Sequence, residues 1–227
     1  MTTPRITLAM RAEAVAVRAA LWLLRRLGPE AASNLGGRFC RTIGPLLPVS
    51  NVADRNLRMA MPELTASERK RIVRGVWENL GRTVAEFPHI ASLKENTPSG
   101  PGFDVVGAEH LIAQVERGGP VLFVSGHIGN WEMLPPGVAH YGVGFASFYR
   151  AAGNPLVDRI IRDLRDEAMT DPLPLFATGA KGANEALRWV SAGHPHAMLV
   201  EPEINAGRDA RLRKGHGARS CSRPSAG

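Results

Sequence analysis

Apolar residues recur at helical spacing through roughly the first ninety positions, then change to short continuous runs separated by helical stretches. Ile6 to Leu27 is rich in Ala and Leu and predicts a helix, with Val17, Leu21, Trp22 and Leu24 filling much of its surface. A second helix is predicted around Val52 to Met61, stopped by Pro62. Thr65-Ala66-Ser67-Glu68 has the spacing of a capping box. The helix that follows carries Ile72, Val73, Val76, Trp77, Leu80, Val84 and Phe87 at helical spacing, a stripe that predicts a core face or helix–helix seam. Pro88 ends it, and the Pro- and Gly-containing residues 91–102 read as a connection.

From Phe103 the pattern alternates. Phe103 to Val106 predicts a strand, Ala108 to Glu116 a helix, and Gly118-Gly119-Pro120 a turn. Val121 to Val124 is continuously apolar, the pattern of a strand buried on both faces. Phe145 to Tyr149 and Ala197 to Val200 are further strand candidates, while Pro155 to Ala168 and Lys181 to Val190 are helical. No internal repeat is present. The implied fold class is α/β, a central mostly parallel sheet flanked by helices and preceded by an amphipathic helical region.

At 227 residues the chain has the length of one domain, or one domain with a helical extension, and 44% hydrophobic residues suffice for a sizeable core. Cys40 and Cys221 lie far apart, which excludes a disulfide framework and a Cys-rich zinc site and fits a reducing compartment. Near the N-terminus the longest uncharged stretch is Ala19 to Leu24, far short of the about 18 residues that a spanning helix needs. Arg11, Glu13 and Arg18 also interrupt the apolar centre that a secretory signal requires.

The net charge of +7 is unevenly placed. Residues 1–80 hold 13 Lys and Arg against 6 Asp and Glu, residues 81–200 hold 9 against 12, and residues 201–227 hold 6 against 3. Arg11, Arg18 and Arg25, seven apart, line one stripe of the first helix. A basic amphipathic helix suits an anionic membrane surface; the alternative is an ordinary surface helix packed on its own domain. Nucleic acid is disfavoured, because the basic residues are not interleaved with aromatics and no binding motif is present.

The richest stretch for chemistry is Val121-Leu-Phe-Val-Ser-Gly-His-Ile-Gly-Asn-Trp-Glu132. A strand runs into a Gly-containing turn with His127 and then Glu132 at an expected helix start, and such loops at the carboxyl ends of strands are where open α/β folds do chemistry. A tight turn would let Glu132 reach the imidazole, fix its tautomer and leave the other nitrogen to take a proton from a hydroxyl. No G-x-S-x-G elbow is present, which favours direct attack by a substrate hydroxyl over a covalent intermediate. Ser125, close to His127 in sequence, is the alternative nucleophile and is disfavoured. A structural His–Glu pair is the alternative. Zinc fits poorly without H-E-x-x-H spacing or an evident third ligand, and the sequence implies no metal or cofactor.

Ser125-Gly126-His127-Ile128-Gly129-Asn130-Trp131-Glu132 resembles the H-x4-D/E block of the lauroyl/myristoyl acyltransferases of lipid A biosynthesis. Asn56 to Leu64, Trp77 to Glu86, Tyr149-Arg150 with Asn154 to Asp158, and Gly179 to Ala183 resemble other family blocks in the right order, over roughly residues 5 to 207. The resemblance implies a transferase that moves a fatty acyl group from acyl carrier protein to a hydroxyl of a lipid A precursor, at the cytoplasmic face of the bacterial inner membrane. It implies His127 as general base and Glu132 as the group that orients it. On the substrate side, Arg150 is a candidate for holding an anionic group or the thioester region, unless it pairs with the helix bearing Asp158. Gly129 and Asn130 belong to the loop that would supply oxyanion donors. Asn154 either bonds substrate or caps the helix ahead of Pro155, and the cap is favoured. Another glycolipid or phospholipid acceptor, or a truncated chain that only binds membrane, are the alternatives.

Three regions are expected: residues 1–90, helical and membrane-associating; 91–207, an incomplete α/β acyltransferase core; and 208–227, a disordered tail outside the resemblance. Glu201-Pro202 stands where the family has Asp-Gln, and Asn205-Ala206-Gly207 keeps part of the next motif before the likeness stops. Codons can be chosen for Arg211 to Ala218 whose reading one base later gives Val-Phe-Ala-Lys-Ala-Met-Ala, similar to the family's next strand. An out-of-frame tail, with the last elements of the domain missing, is therefore expected.

Overall fold

The computed structural model describes residues 6–95, 101–169 and 174–199. The 208–227 tail, and Glu201-Pro202 and Asn205 to Gly207 before it, lie outside the described residues. Helix α1 (Leu8–Arg26) starts where the Thr7 hydroxyl accepts from the Met10 N–H. Helix α2 (Pro29–Ile43) follows, then a 3-10 turn (Gly44–Leu46), α3 (Ser50–Ala60) and α4 (Ala66–Glu86). The capping box is present: the Glu68 N–H donates to Thr65 Oγ1 at 3.3 Å, and the Thr65 N–H donates to Glu68 Oε2 at 2.8 Å. Hydrogen bonding from Thr65 holds the Glu68 carboxyl below its ordinary range. Helix α4 ends at Glu86, just before Pro88 as expected, and the chain continues as a 3-10 helix (Phe87–Ser92).

Helix α2 was not expected; its apolar residues Leu35, Phe39 and Ile43, four apart, face outward and are 41–63% exposed. Its inner face is made of small residues, and that is why it packs so closely. A Cβ on Gly36 would lie 2.5 Å from the Gly81 carbonyl oxygen and 2.6 Å from Ala85 Cβ. The seam of α4 consequently runs through Val73, Gly81 and Ala85, which are buried, whereas Val76 and Val84 of the expected stripe are more than half exposed. Tight backbone approach, not bulk, selects the face of this helix.

After the short parallel pair β1 (Lys94–Glu95) and β2 (Gly102–Phe103) come α5 (Ala108–Arg117), β3 (Leu122–Ser125), a 3-10 turn (Trp131–Met133) and α6 (Leu134–Ala139). β4 (Ala146–Tyr149), α7 (Pro155–Glu167), β5 (Leu175–Ala177), α8 (Ala180–Ser191) and β6 (His196–Leu199) complete the described part. The main sheet is parallel throughout, in the order β3-β6-β4-β5. Of the expected strand at 103–106 only Phe103 belongs to β2, and Val106 is 97% exposed.

Val138, Val143, Phe145 and Ala197 form one core cluster, with Leu111, Phe123 and Leu134 packed on it. Ala14 of α1 with Ile160 and Leu164 of α7 form a second, so α1 seats on α7. The expectation that β3 is buried on both faces is corrected. Leu122 and Val124 are 54% and 63% exposed, because β3 is the outer strand among the described residues and only its Phe123 face is covered.

Candidate active site

Parallel strands send their carboxyl ends the same way, so Ser125 at the end of β3 and Tyr149 at the end of β4 open on one side, with β6 between them. Beyond Ser125 the chain turns sharply. The Ile128 N–H donates to the Gly126 carbonyl at 2.9 Å, and Gly129 takes φ +60°, where a side chain would be strained. Asn130 then caps the 3-10 turn, its Oδ1 accepting from the Glu132 N–H at 3.2 Å.

This turn brings His127 and Glu132 to the same cleft, about 420 Å³ in volume, which Arg150 and Arg165 also line. Its walls are largely apolar, with Leu134, Phe145, Phe148 and Met169 among them. The His127 ring is exposed and meets Trp131 edge-on at 4.9 Å between centroids.

Glu132 is nearly buried, with 11% of its side chain exposed. Arg165 of α7 grips it with both arms, Nε to Oε2 at 2.9 Å and Nη2 to Oε1 at 2.7 Å. Such a fork uses two of the carboxylate's roughly four lone-pair directions and fixes its plane. The Arg165 guanidinium lies 5.0 Å from the Tyr149 ring centre and 6.0 Å from that of Phe87. Burial works against its charge, yet hydrogen bonding and attraction from Glu132 outweigh it and keep Arg165 above its ordinary value. Arg165 was not singled out from the sequence. Its partner lies 33 positions away, and the one available signal was its place on the face of α7 that also carries Asp158 and Arg162.

Asp158 holds the end of β4. It accepts from the Tyr149 hydroxyl at 2.6 Å, from the Ala152 N–H at 2.8 Å and from Arg162 at 3.0 Å. Burial opposes its charge, but these donors leave its carboxyl below the ordinary range. The Tyr149 phenol is pushed up by burial first and then by its bond to Asp158. Arg150, next in sequence, is exposed and lines the cleft.

The other residues singled out from the sequence sit behind the cleft rather than on its lining. The Gly129 carbonyl is bonded by Asn79 and Thr83 of α4, and the Asn130 amide donates to Glu86. Asn154 is buried. Its Oδ1 accepts from the Leu156 N–H at 3.0 Å as the α7 cap, and its Nδ2 donates to the Met10 carbonyl and to Glu13, both at 2.9 Å. Among the described residues no group of three or more His, Cys, Asp or Glu could hold a metal ion, and no helix is long and apolar enough to cross a membrane.

A comparison with curated proteins returns no match. The family model described as bacterial lipid A biosynthesis acyltransferase matches residues 3–205, nearly the whole chain. With the His127 loop, the cleft and the parallel sheet in place, the chain belongs to the bacterial lipid A biosynthesis acyltransferase family and is an acyltransferase of that kind.

Proposed function

We propose that the enzyme transfers a fatty acyl group from acyl carrier protein to a hydroxyl of a lipid A precursor, with His127 as general base. The observation that carries this reading is that His127 and an Arg165-fixed Glu132 line one apolar-walled cleft at the carboxyl ends of β3 and β4. His127 takes the proton of the acceptor hydroxyl as its oxygen attacks the thioester carbonyl. The tetrahedral intermediate collapses, the C–S bond breaks, and the imidazolium returns the proton to the departing thiolate. Glu132 retains lone pairs for the imidazole N–H and stabilises the imidazolium, while Arg165 holds the carboxylate in one orientation. Arg150, at the rim, holds the thioester region or an anionic group of the acceptor. Backbone N–H groups of the loop around Gly129 are assigned as the oxyanion donors. The apolar walls take the acyl chain.

Membrane association belongs to the same proposal. Helix α1 buries Ala14 against α7 but turns Leu8, Val15 and Trp22, seven apart, outward with 85%, 64% and 59% exposure. Arg11 and Arg18 repeat at the same interval beside them, and Arg25, next in the row, pairs with Glu167 of α7. An outward apolar stripe edged with arginine suits an anionic leaflet, here the cytoplasmic face of the inner membrane, and positive surface also suits acidic acyl carrier protein.

The test is a transfer assay with acyl carrier protein thioester and two acceptors, a lipid A precursor and glycerol phosphate, run with wild type and His127→Ala. Transfer to the lipid A precursor that collapses in His127→Ala is expected. Preference for glycerol phosphate would overturn the acceptor, and equal rates in the two proteins would overturn the base.

A further inference from the structure

We propose that helix α4 sets the geometry of the catalytic turn through Asn79, Thr83 and Glu86, which makes them positioning residues for the transfer. This rests on the reading of His127 as the base. Spacings of four and three put the three side chains on one face of α4. Asn79 Nδ2 donates to the Gly129 carbonyl oxygen at 3.0 Å, and Thr83 Oγ1 donates to the same oxygen at 3.2 Å. Both lone pairs of that carbonyl are thereby filled. Glu86 Oε2 accepts from Asn130 Nδ2 at 2.7 Å, while Asn130 Oδ1 holds the Glu132 N–H. The Asn130 side chain is thus a bridge from α4 to the backbone of Glu132.

The clamp is braced from behind. Glu86 Oε1 accepts from Ser33 Oγ of α2 at 2.6 Å. Arg82 donates to the same Ser33 oxygen at 3.2 Å and to Asn34 Oδ1 at 2.9 Å.

All three α4 contacts fall on Gly129 and Asn130, midway between His127 and Glu132. Gly129 is the residue of that turn with the most backbone freedom, and its φ of +60° is a conformation that nothing in its own side chain enforces. Pinning its carbonyl fixes the planar 129–130 peptide, and so the direction of the Asn130 N–H as well. Without the clamp the turn would sample other settings and the His127–Glu132 spacing would drift. A misplacement of about 1 Å is enough to slow chemistry about a hundredfold. The N-terminal helices are on this account part of the active-site scaffold, besides any role at a membrane.

Thr83→Val, Asn79→Ala, their double variant, Glu86→Ala and Glu86→Gln test this beside wild type and His127→Ala. Two readouts are taken: kcat and KM for transfer, and amide hydrogen exchange at Ile128, Glu132 and Met133. In the double variant and in Glu86→Ala we expect kcat to fall about 10- to 100-fold with KM near wild type. Loop amides should exchange about tenfold faster while the melting of the rest of the protein is little changed. Glu86→Gln should recover most of kcat, because an amide oxygen still accepts from Asn130. Wild-type kcat and wild-type loop exchange in these variants, with His127→Ala inactive, would overturn the clamp. Equal transfer by wild type and His127→Ala would instead overturn the base, and loop exchange would still decide whether α4 holds the turn. Should Glu86→Ala fail to fold, the Asn79/Thr83 double variant decides.

Discussion

Adding one methyl group at Gly36 should destabilise the protein, whereas adding one at Gly75 should stabilise it. Both glycines are in helices, α2 and α4, where replacing Gly by Ala ordinarily gains about 1 kcal/mol. At Gly75 a Cβ meets nothing within 4 Å, so that gain should be realised. At Gly36 the same Cβ would lie 2.5 Å from the Gly81 carbonyl oxygen and 2.6 Å from Ala85 Cβ. Neither neighbour is the end of a flexible side chain, so one helix must retreat by about 0.9 Å to reach ordinary contact at 3.4 Å. Overpacking of this kind costs about 1–3 kcal/mol, and a backbone-to-backbone clash belongs at the upper end. After the propensity gain, a net loss of about 2 kcal/mol remains. For a chain of this size that is a melting temperature about 4–8 °C below wild type, against about 2–4 °C above it for Gly75→Ala. Thermal denaturation followed by circular dichroism reads both. A Gly36→Ala protein that melts at or above wild type would refute the seam between α2 and α4, and with it the support behind the His127 turn.

Three further outcomes are expected. His196 is 2% exposed, with neither ring nitrogen hydrogen-bonded, between Phe148 and Phe176. Burial lowers its pKa, so the fold favours the neutral ring. The stability this confers is complete above the ordinary value near 6.5 and is lost as pH falls toward the folded-state value, by up to about 1.4 kcal/mol per pH unit. Melting curves from pH 8 to pH 5 should therefore slope more steeply for wild type than for His196→Leu; parallel slopes would refute it. Asn154→Ala removes the α7 cap and the tie to α1, and should cost about 1–2 kcal/mol. Its melting temperature should fall by about 2–8 °C, and a value unchanged from wild type would contradict the cap. Arg18→Gln should weaken binding to anionic phospholipid vesicles about fivefold at low salt, the worth of one basic residue at such a surface. Equal binding to neutral vesicles, insensitive to salt, would remove α1 from the membrane face.

Helix positions and the polarity of the sheet were legible because they are written locally. Predicted and observed bounds of α1, α5, α7 and α8 differ by only a residue or two, since caps, prolines and apolar periodicity all fall within a few positions. The turn from β3 through His127 to Glu132 was legible for the same reason. Helix α2 was passed over: its packing face is built of Ala32, Ser33, Gly36 and Gly37, while its apolar period, Leu35, Phe39 and Ile43, faces outward, so the pattern does not mark the buried side. Burial of β3 was overread: a continuous apolar run does not say whether the strand lies at the centre or the edge of its sheet. What holds the site together was least legible. The Glu132–Arg165 fork joins residues 33 positions apart, and Asn130–Glu86 spans 44. Those pairs exist only after the chain is folded, and no spacing rule marks them beforehand.

Single-turnover transfer measured by rapid quench, with acyl carrier protein thioester already bound, tests the central claim most directly. If His127 removes the acceptor proton, His127→Ala should bind the thioester as wild type does and transfer about 10²- to 10⁴-fold more slowly, the range expected for loss of a general base. Transfer by His127→Ala at the wild-type rate would contradict the account.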